Sequence, residues 1–495
     1  MSPLLPARPR VGLLTQTLYG VGAISSGIKM RALSAFLLIF YNQAIGLSPT
    51  MVSLAITIVM VMDAVSDPLI GYVSDHLRTP WGRRHPLMYA AAAPLGLGFV
   101  LLWNPPTGWS ETALFGYLLV CLLVIRVCDT FFELPSLALA AELVEDYDGR
   151  TGIVGKRIFF RTLASLLVVV LGLQVFLKAH ADGTGGPADR AGYLGFSLTM
   201  AALMVTAILV ASLATHRFIP WLPKPSTKAG APTHSPRQFL RDVRGLLRNP
   251  SALAMLGVGA FTAVAGGAKA GLELYFGLYF WRLSQGQISI LALLTAAGAL
   301  SGALLVPLVS RRLGKRNGTI TCYALALIIG CAPVVLRLIG LMPPNGSALL
   351  FACLAVESIV AGLLYVMTAV MMNAMLADVI EDVAARSGQR SEALLFSADA
   401  FFSKAVSGLG VLISGGLLAL IAFPRDVKTQ APDAEMLWRL GALYVPTQLV
   451  VTGCAIGLLM LFRIDRARHE DNLSKLRAAD LADRVPSLDP PTSIL

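Results

Sequence analysis

Charge is what this chain has least of. Of its 495 residues 14% are charged and 56% hydrophobic, and the mean hydropathy is +0.69. A water-soluble domain of this length needs far more polar surface, so a soluble globular fold is excluded. Period-2 alternation of polar and apolar residues is also missing, which argues against a membrane β-barrel. The six cysteines (Cys121, Cys128, Cys322, Cys331, Cys353, Cys454) lie in apolar segments with no CxxC pair or histidine partner. Neither a disulfide framework nor a metal centre is expected from them. No nucleophile–base pair, phosphate loop or histidine pair at metal spacing occurs, so no enzyme and no cofactor is expected. The start lacks the small-x-small closure of a cleavable signal, and its first apolar segment holds Lys29 and Arg31 in its middle.

What the chain does have is apolar stretches of roughly 20 residues, each long enough to cross about 30 Å of hydrocarbon as a helix. In lipid the backbone must satisfy its own hydrogen bonds, so these stretches are helices. The pattern predicts spans near Val11–Tyr41, Thr50–Val73, Pro86–Trp103, Thr112–Ala140, Ile158–Leu177 and Tyr193–Thr215. A second set follows near Ala252–Phe280, Ile288–Val309, Thr319–Leu341, Ala348–Leu376, Glu392–Ile421 and Trp438–Phe462. The expected fold is an all-α membrane protein of twelve transmembrane helices in two pseudo-symmetric six-helix bundles. The first bundle would cover residues 1–217, a basic linker 218–250, the second bundle 251–464, and a charged, disordered tail 465–495.

The net charge of +11 could suggest nucleic acid, but the basic residues gather in short loops. Arg78, Arg83 and Arg84 follow helix two, and Arg311, Arg312, Lys315 and Arg316 follow helix eight. The central linker holds Arg217, Lys224, Lys228, Arg237, Arg241, Arg244 and Arg248, whereas the intervening loops hold few or none. Basic loops belong on the cytoplasmic side, which puts both termini there, in a multi-pass cell (inner) membrane protein with lipid and no nucleic acid as its partner. Pro236–Leu247 alternates basic and apolar residues and is expected to lie on the membrane surface as an amphipathic helix. The two basic turns after helices two and eight occupy equivalent places, the weak symmetry of carriers that bind a solute between two halves near the midplane.

An ionised group in mid-span costs roughly 2.5–3.5 kcal/mol on insertion scales, so each such residue calls for a cavity or a partner. Asp63 and Asp67 stand one turn apart on helix two, and two carboxylates on one face want a cation or a shared proton between them. Helix four carries Arg126, Asp129 and Glu133 as one stripe, either self-neutralised or turned to a solute. Arg157 and Arg161 open helix five; Arg157 suits an anchor, while Arg161 lies deeper and needs a partner such as Glu133 or a solute. Lys269 and Glu273, four apart on helix seven, are spaced to satisfy each other. Glu357 stands alone on helix ten. Lys404 on helix eleven calls for an acid, either from the opposite half or Asp399 on its own helix.

Several stretches together resemble the glycoside–pentoside–hexuronide:cation symporter family of the major facilitator superfamily. They are Met62-Asp63-Ala64-Val65-Ser66-Asp67-Pro68-Leu69-Ile70-Gly71, Asp129…Glu133-Leu134-Pro135-Ser136, Ala141-Glu142-Leu143…Asp146-Tyr147-Asp148-Gly149-Arg150-Thr151…Arg157, and Ala377-Asp378-Val379-Ile380-Glu381-Asp382…Glu392-Ala393 with Lys404. The resemblance runs over nearly the whole chain. It implies the major facilitator fold and cation-coupled symport of a sugar or sugar-like solute by a monomer, with Na⁺ or H⁺ as coupling ion. It further implies Asp63 and Asp67 as the cation site, solute contacts at Glu133 and at Arg157 or Arg161, and Lys404 supporting both sites. Where the family has a sugar-holding aspartate in helix one, this sequence has Gly27, with Lys29 and Arg31 nearby. That exchange favours an anionic or zwitterionic solute held by Lys29; alternatively Lys29 neutralises Asp63 or Asp67. A lysophospholipid or other amphiphile is the second expected cargo, since a related branch of the superfamily moves such lipids.

Overall fold

The structure, a computed structural model, describes residues 11–144, 147–179, 185–222, 250–387, 392–425, 427 and 430–462. Twelve helices among them are long and apolar enough to cross a membrane. In chain order they are α1 Leu13–Ala44, α2 Pro49–His76, α3 His85–Leu102, α4 Glu111–Leu143, α5 Thr151–Phe176 and α6 Tyr193–His216. The second six are α7 Ser251–Phe280, α8 Gln285–Leu313, α9 Lys315–Leu338, α10 Ala348–Val379, α11 Phe401–Leu420 and α12 Ala434–Met460. No strand occurs among the described residues. The predicted amphipathic helix Pro236–Leu247, the tail from residue 465 and the side chain of Asp399 lie outside them.

Local signals set several helix starts. The hydroxyl of Ser48 caps α2 by accepting from Met51 N at 3.3 Å, and Ser284 with Gln287 forms a reciprocal capping box on α8. Two helices outrun the hydropathy that announced them. The helix of α5 begins at Tyr147, three turns before the expected Ile158, and that of α10 continues to Ser387, past the expected Leu376. In both cases the extra turns carry charged residues, which end an apolar window without ending a helix.

The first six helices pack on one another, as do the second six. Among the described residues, contact between the sets runs chiefly through three pairs: α2 with α11, α1 with α7, and α5 with α8. Small residues let these backbones meet. A Cβ on Gly408 would lie 2.9 Å from Thr57 Cα, and one on Gly415 would collide with Ser53 Oγ, so α2 and α11 touch backbone to backbone. Thr57 Oγ1 donates to Gly408 O at 2.7 Å across this seam.

With twelve spans, Leu13 and Met460 lie at the same end of the bundle, here called the terminal end. At the opposite, far end the helices α1, α5 and α7 each finish in a π-turn: Phe40–Ala44, Gly172–Phe176 and Phe276–Phe280. These turns carry polar links between the halves. Gln43 Nε2 donates to Pro424 O at 2.7 Å, and Tyr275 OH donates to Asn42 Oδ1 at 2.9 Å. Gln285 Nε2 donates to Leu177 O at 2.6 Å. Asn42 and Tyr275 are both fully buried. The far end is bonded shut.

Candidate functional site

Between the halves lies a chamber of about 1050 Å³ that extends towards the terminal end, reaching Met255 near the start of α7. Its walls come from α1, α2, α4 and α5 on one side and α7, α9, α10, α11 and α12 on the other. Asp63, Asp67, Arg126, Asp129, Glu133 and Arg161 all line it, as do Lys29, Lys269 and Lys404. Most of the ionised groups of the apolar spans therefore converge on one space; Arg31, Arg157, Glu273 and Glu357 lie behind its wall.

The acidic pair on α2 is occupied by a protein cation. Lys404 reaches across from α11, bonds Asp67 directly and stands 3.4 Å from Asp63 Oδ2. Arg126 on α4 comes within 3.3 Å of the same Asp63 oxygen. Thr130, one turn along α4, places its hydroxyl 3.1 Å from Asp67 Oδ1 and 3.4 Å from Asp63 Oδ1. Asp63 is 4% exposed at its side chain and Lys404 45%, so the acid is the fixed partner and the lysine faces the chamber. Four oxygens of two carboxylates and one hydroxyl form a cluster suited to a hard monovalent cation or a proton. Lys404 pairs with acids of the opposite half, the first of the two partners expected for it.

The stripe on α4 does not neutralise itself; each member takes a partner from another helix. Asp129 pairs with Lys29 of α1, and Arg126 with Asp63 of α2. Lys29 thus neutralises neither Asp63 nor Asp67. Glu133 Oε1 accepts from Arg157 at 2.9 Å, and its Oε2 accepts from Ser26 Oγ at 2.7 Å. Arg157 is itself buried and also donates to Tyr19 OH at 3.2 Å and to Ser136 Oγ. It therefore clamps Glu133 from inside the protein, rather than serving as the membrane anchor that its place at the start of helix five suggested; the resemblance had implied a solute contact at Arg157 or Arg161. Arg161, expected to find Glu133 or a solute, does not reach Glu133; it has no ion pair or side-chain hydrogen bond among the described residues and lines the chamber.

Helix α7 corrects a second expectation. Glu273 does not pair with Lys269 but holds Arg31 of α1 through two bonds of 2.7 and 3.0 Å. A guanidinium fork matches a carboxylate edge to edge, whereas an ammonium four residues away offers a single point contact. Lys269 is left with Glu357 at 3.9 Å, and its side chain is 58% exposed. Glu357 is therefore less isolated than its sequence position implied.

Gly27 has a steric cause. A Cβ there would collide with Arg161 O and stand 2.9 Å from the Ala164 methyl, because α1 and α5 cross at this residue. No side chain fits, so an acid is excluded. Sequence reasoning missed Thr130, Ser26 and Tyr19. Thr130 sits one turn past Arg126 on the same polar face, and that signal was available; the other two carry none.

A twelve-helix molecule whose charged side chains meet in one chamber between two halves is a membrane carrier. Residues 18–466 match the family described as MFS/sugar transport protein. A putative glycoside/cation symporter of Escherichia coli is 25% identical over 93% of this chain and 95% of its own length. The sodium-dependent lysophosphatidylcholine symporter 1 of Gallus gallus is 21% identical over 95% of this chain and 90% of its own. Among solved structures, a nucleoside transporter superposes with a TM-score of 0.59 at 15% identity, covering 92% of this chain and all of that one, which bears on the fold alone. The chain belongs to the MFS/sugar transport family: it is a major facilitator transporter of the glycoside–pentoside–hexuronide:cation symporter type, not an enzyme.

Proposed function

We propose that this carrier moves a sugar or sugar-like solute together with Na⁺ or H⁺ by alternating access, with Asp63, Asp67 and Thr130 as the cation site. One observation carries the reading: Lys404 of the second half lies in the acidic pair of the first. A coupling cation entering that pair competes with the ammonium for the same oxygens. Lys404 is then released, and the bond between halves that it supplied is released with it. Cation binding thereby removes one bond between the halves, and solute binding completes the change that lets them move. The solute site is the wall beside it, where Glu133 and Ser26 offer hydroxyl-binding groups and Arg161 a cation with no ionic partner among the described residues. The protein sits in the cell (inner) membrane with both termini cytoplasmic, so the chamber faces inward in this state, and a monomer suffices.

Uptake into proteoliposomes, with a panel of glycosides and imposed Na⁺ or proton gradients, tests this. Removing one charged ligand costs about 1.5–3 kcal/mol, roughly 10- to 100-fold in cation affinity. Asp63→Asn and Asp67→Asn are therefore expected to weaken the cation dependence of uptake by that much. Unaltered ion dependence in both variants would overturn the assignment. A lysophospholipid is the second reading, supported by the chicken relative and by Leu37, Leu38, Ile56 and Val59, which line the chamber. Lysophosphatidylcholine belongs in the same panel.

A further inference from the structure

We propose that Lys269 is a specificity-determining residue that binds an oxyanion of the solute, a carboxylate or a phosphate ester, from the second half of the molecule. The inference rests on the transport reading and adds the solute's charge and the residue that reads it. It follows from the pairing of charges along the chamber wall. Four acids line it, and every one is already matched. Asp63 has Arg126 and Lys404, Asp67 has Lys404, Asp129 has Lys29, and Glu133 has Arg157. Two lining cations remain. Arg161 has no ionic partner among the described residues, and Lys269 makes no hydrogen-bonded ion pair: Glu357 stands 3.9 Å away, and Glu273 nearby is held by Arg31.

The side chain of Lys269 is 58% exposed, against 12% for the paired Lys29. Apart from Lys404, it is the only charged residue that the second half contributes to the lining, and no acid of that half lines the chamber among the described residues. An ammonium in an apolar span calls for a counter-charge. Glu357 supplies that counter-charge only loosely, at 3.9 Å, and the lining acids are all engaged, so an anionic cargo would complete it. Arg161 stands on the first half and Lys269 on the second. Two cations on opposite walls repel each other as the halves approach, and an anion between them turns that repulsion into attraction. An anionic solute would therefore favour closure around itself, and a neutral analogue would lack that gain.

The test compares a glucuronide with the matched neutral glucoside, and adds lysophosphatidylcholine, in cation-driven uptake by the reconstituted full chain. The wild type is expected to prefer an oxyanion-bearing solute by about tenfold or more over the neutral glucoside. Lys269→Gln is expected to remove most of that preference, and Lys269→Arg to keep it. Glu357→Gln, which frees the lysine from its loose partner, is expected to raise the ratio; a lysine that merely neutralised Glu357 would leave the ratio unmoved. Preference for the glucuronide assigns the anion to a sugar acid, and preference for lysophosphatidylcholine assigns it to a head-group phosphate; Lys269 dependence in either supports the proposal. Equal uptake of acid and neutral solutes overturns it while leaving cation-coupled symport standing. An acid preference that survives in Lys269→Gln overturns it too. Absence of cation-driven uptake for the whole panel overturns both readings.

Discussion

At the residue scale, the site is a set of pairs that no helix makes with itself. Asp129, Glu133 and Arg126 share one face of α4, yet their partners come from α1, α5 and α2. Spacing along α2 made the face shared by Asp63 and Asp67 legible, because helical geometry is local. Who answers those acids depends on where helices cross, and a crossing is invisible in a single string of residues. Gly27 is the sharpest case: its significance lies in a backbone carbonyl of α5 that only the folded structure brings near. Gly27→Asp is therefore expected to destabilise the protein, by about 1–3 kcal/mol as an overpacked contact. Thermal unfolding in detergent, monitored by loss of monodisperse protein, checks it. An undiminished melting temperature would mean that the crossing yields.

At the element scale, α1 and α7 are held together by one bidentate ion pair, Arg31 with Glu273, and by the bond from Tyr275, just before the π-turn of α7, to Asn42 in that of α1. These helices come from different halves, so the contact must break whenever the far end opens. Arg31→Glu alone would set two carboxylates against each other and is expected to cut transport at least tenfold, at a cost of about 1–3 kcal/mol. Adding Glu273→Arg restores the pair in reverse and is expected to recover most of the transport. Uptake by the single and double variants decides it; a double variant no better than either single one would show that the pair does not act as a pair. The spans themselves were legible, since hydropathy is a property of composition. The early start of α5 at Tyr147 was not, because its first turns are polar while still helical.

At the scale of the whole molecule, a closed far end and a chamber reaching the terminal end describe one of the two states that a carrier must visit. Between the halves, α2 and α11 touch backbone to backbone at Gly408 and Gly415. Gly415→Leu is expected to hold α2 and α11 apart and to leave the far end open. A cysteine at Gln43, now 4% exposed, would then react with an impermeant thiol reagent added from the far side, in a background without native thiols. Equal, low labelling with and without Gly415→Leu would show that the seam does not control closure. Two halves were legible from the paired basic turns after α2 and α8, while the state of the gate was not, because both states use the same sequence.

The ammonium of Lys404 has one more consequence. In the proposed cycle a coupling ion would leave the carboxylates by diffusion, whereas the charge of Lys404, paired with Asp67 here, is tethered to the protein and would settle back once the ion departs. The emptied carrier then resets with its acids already neutralised, so its return stroke moves no bare negative charge through the bilayer. A half-loaded carrier, holding an ion but no solute, has displaced its tethered charge and gained nothing to offset it. The tether thus discourages an ion from crossing alone, which is the leak that tight coupling has to prevent.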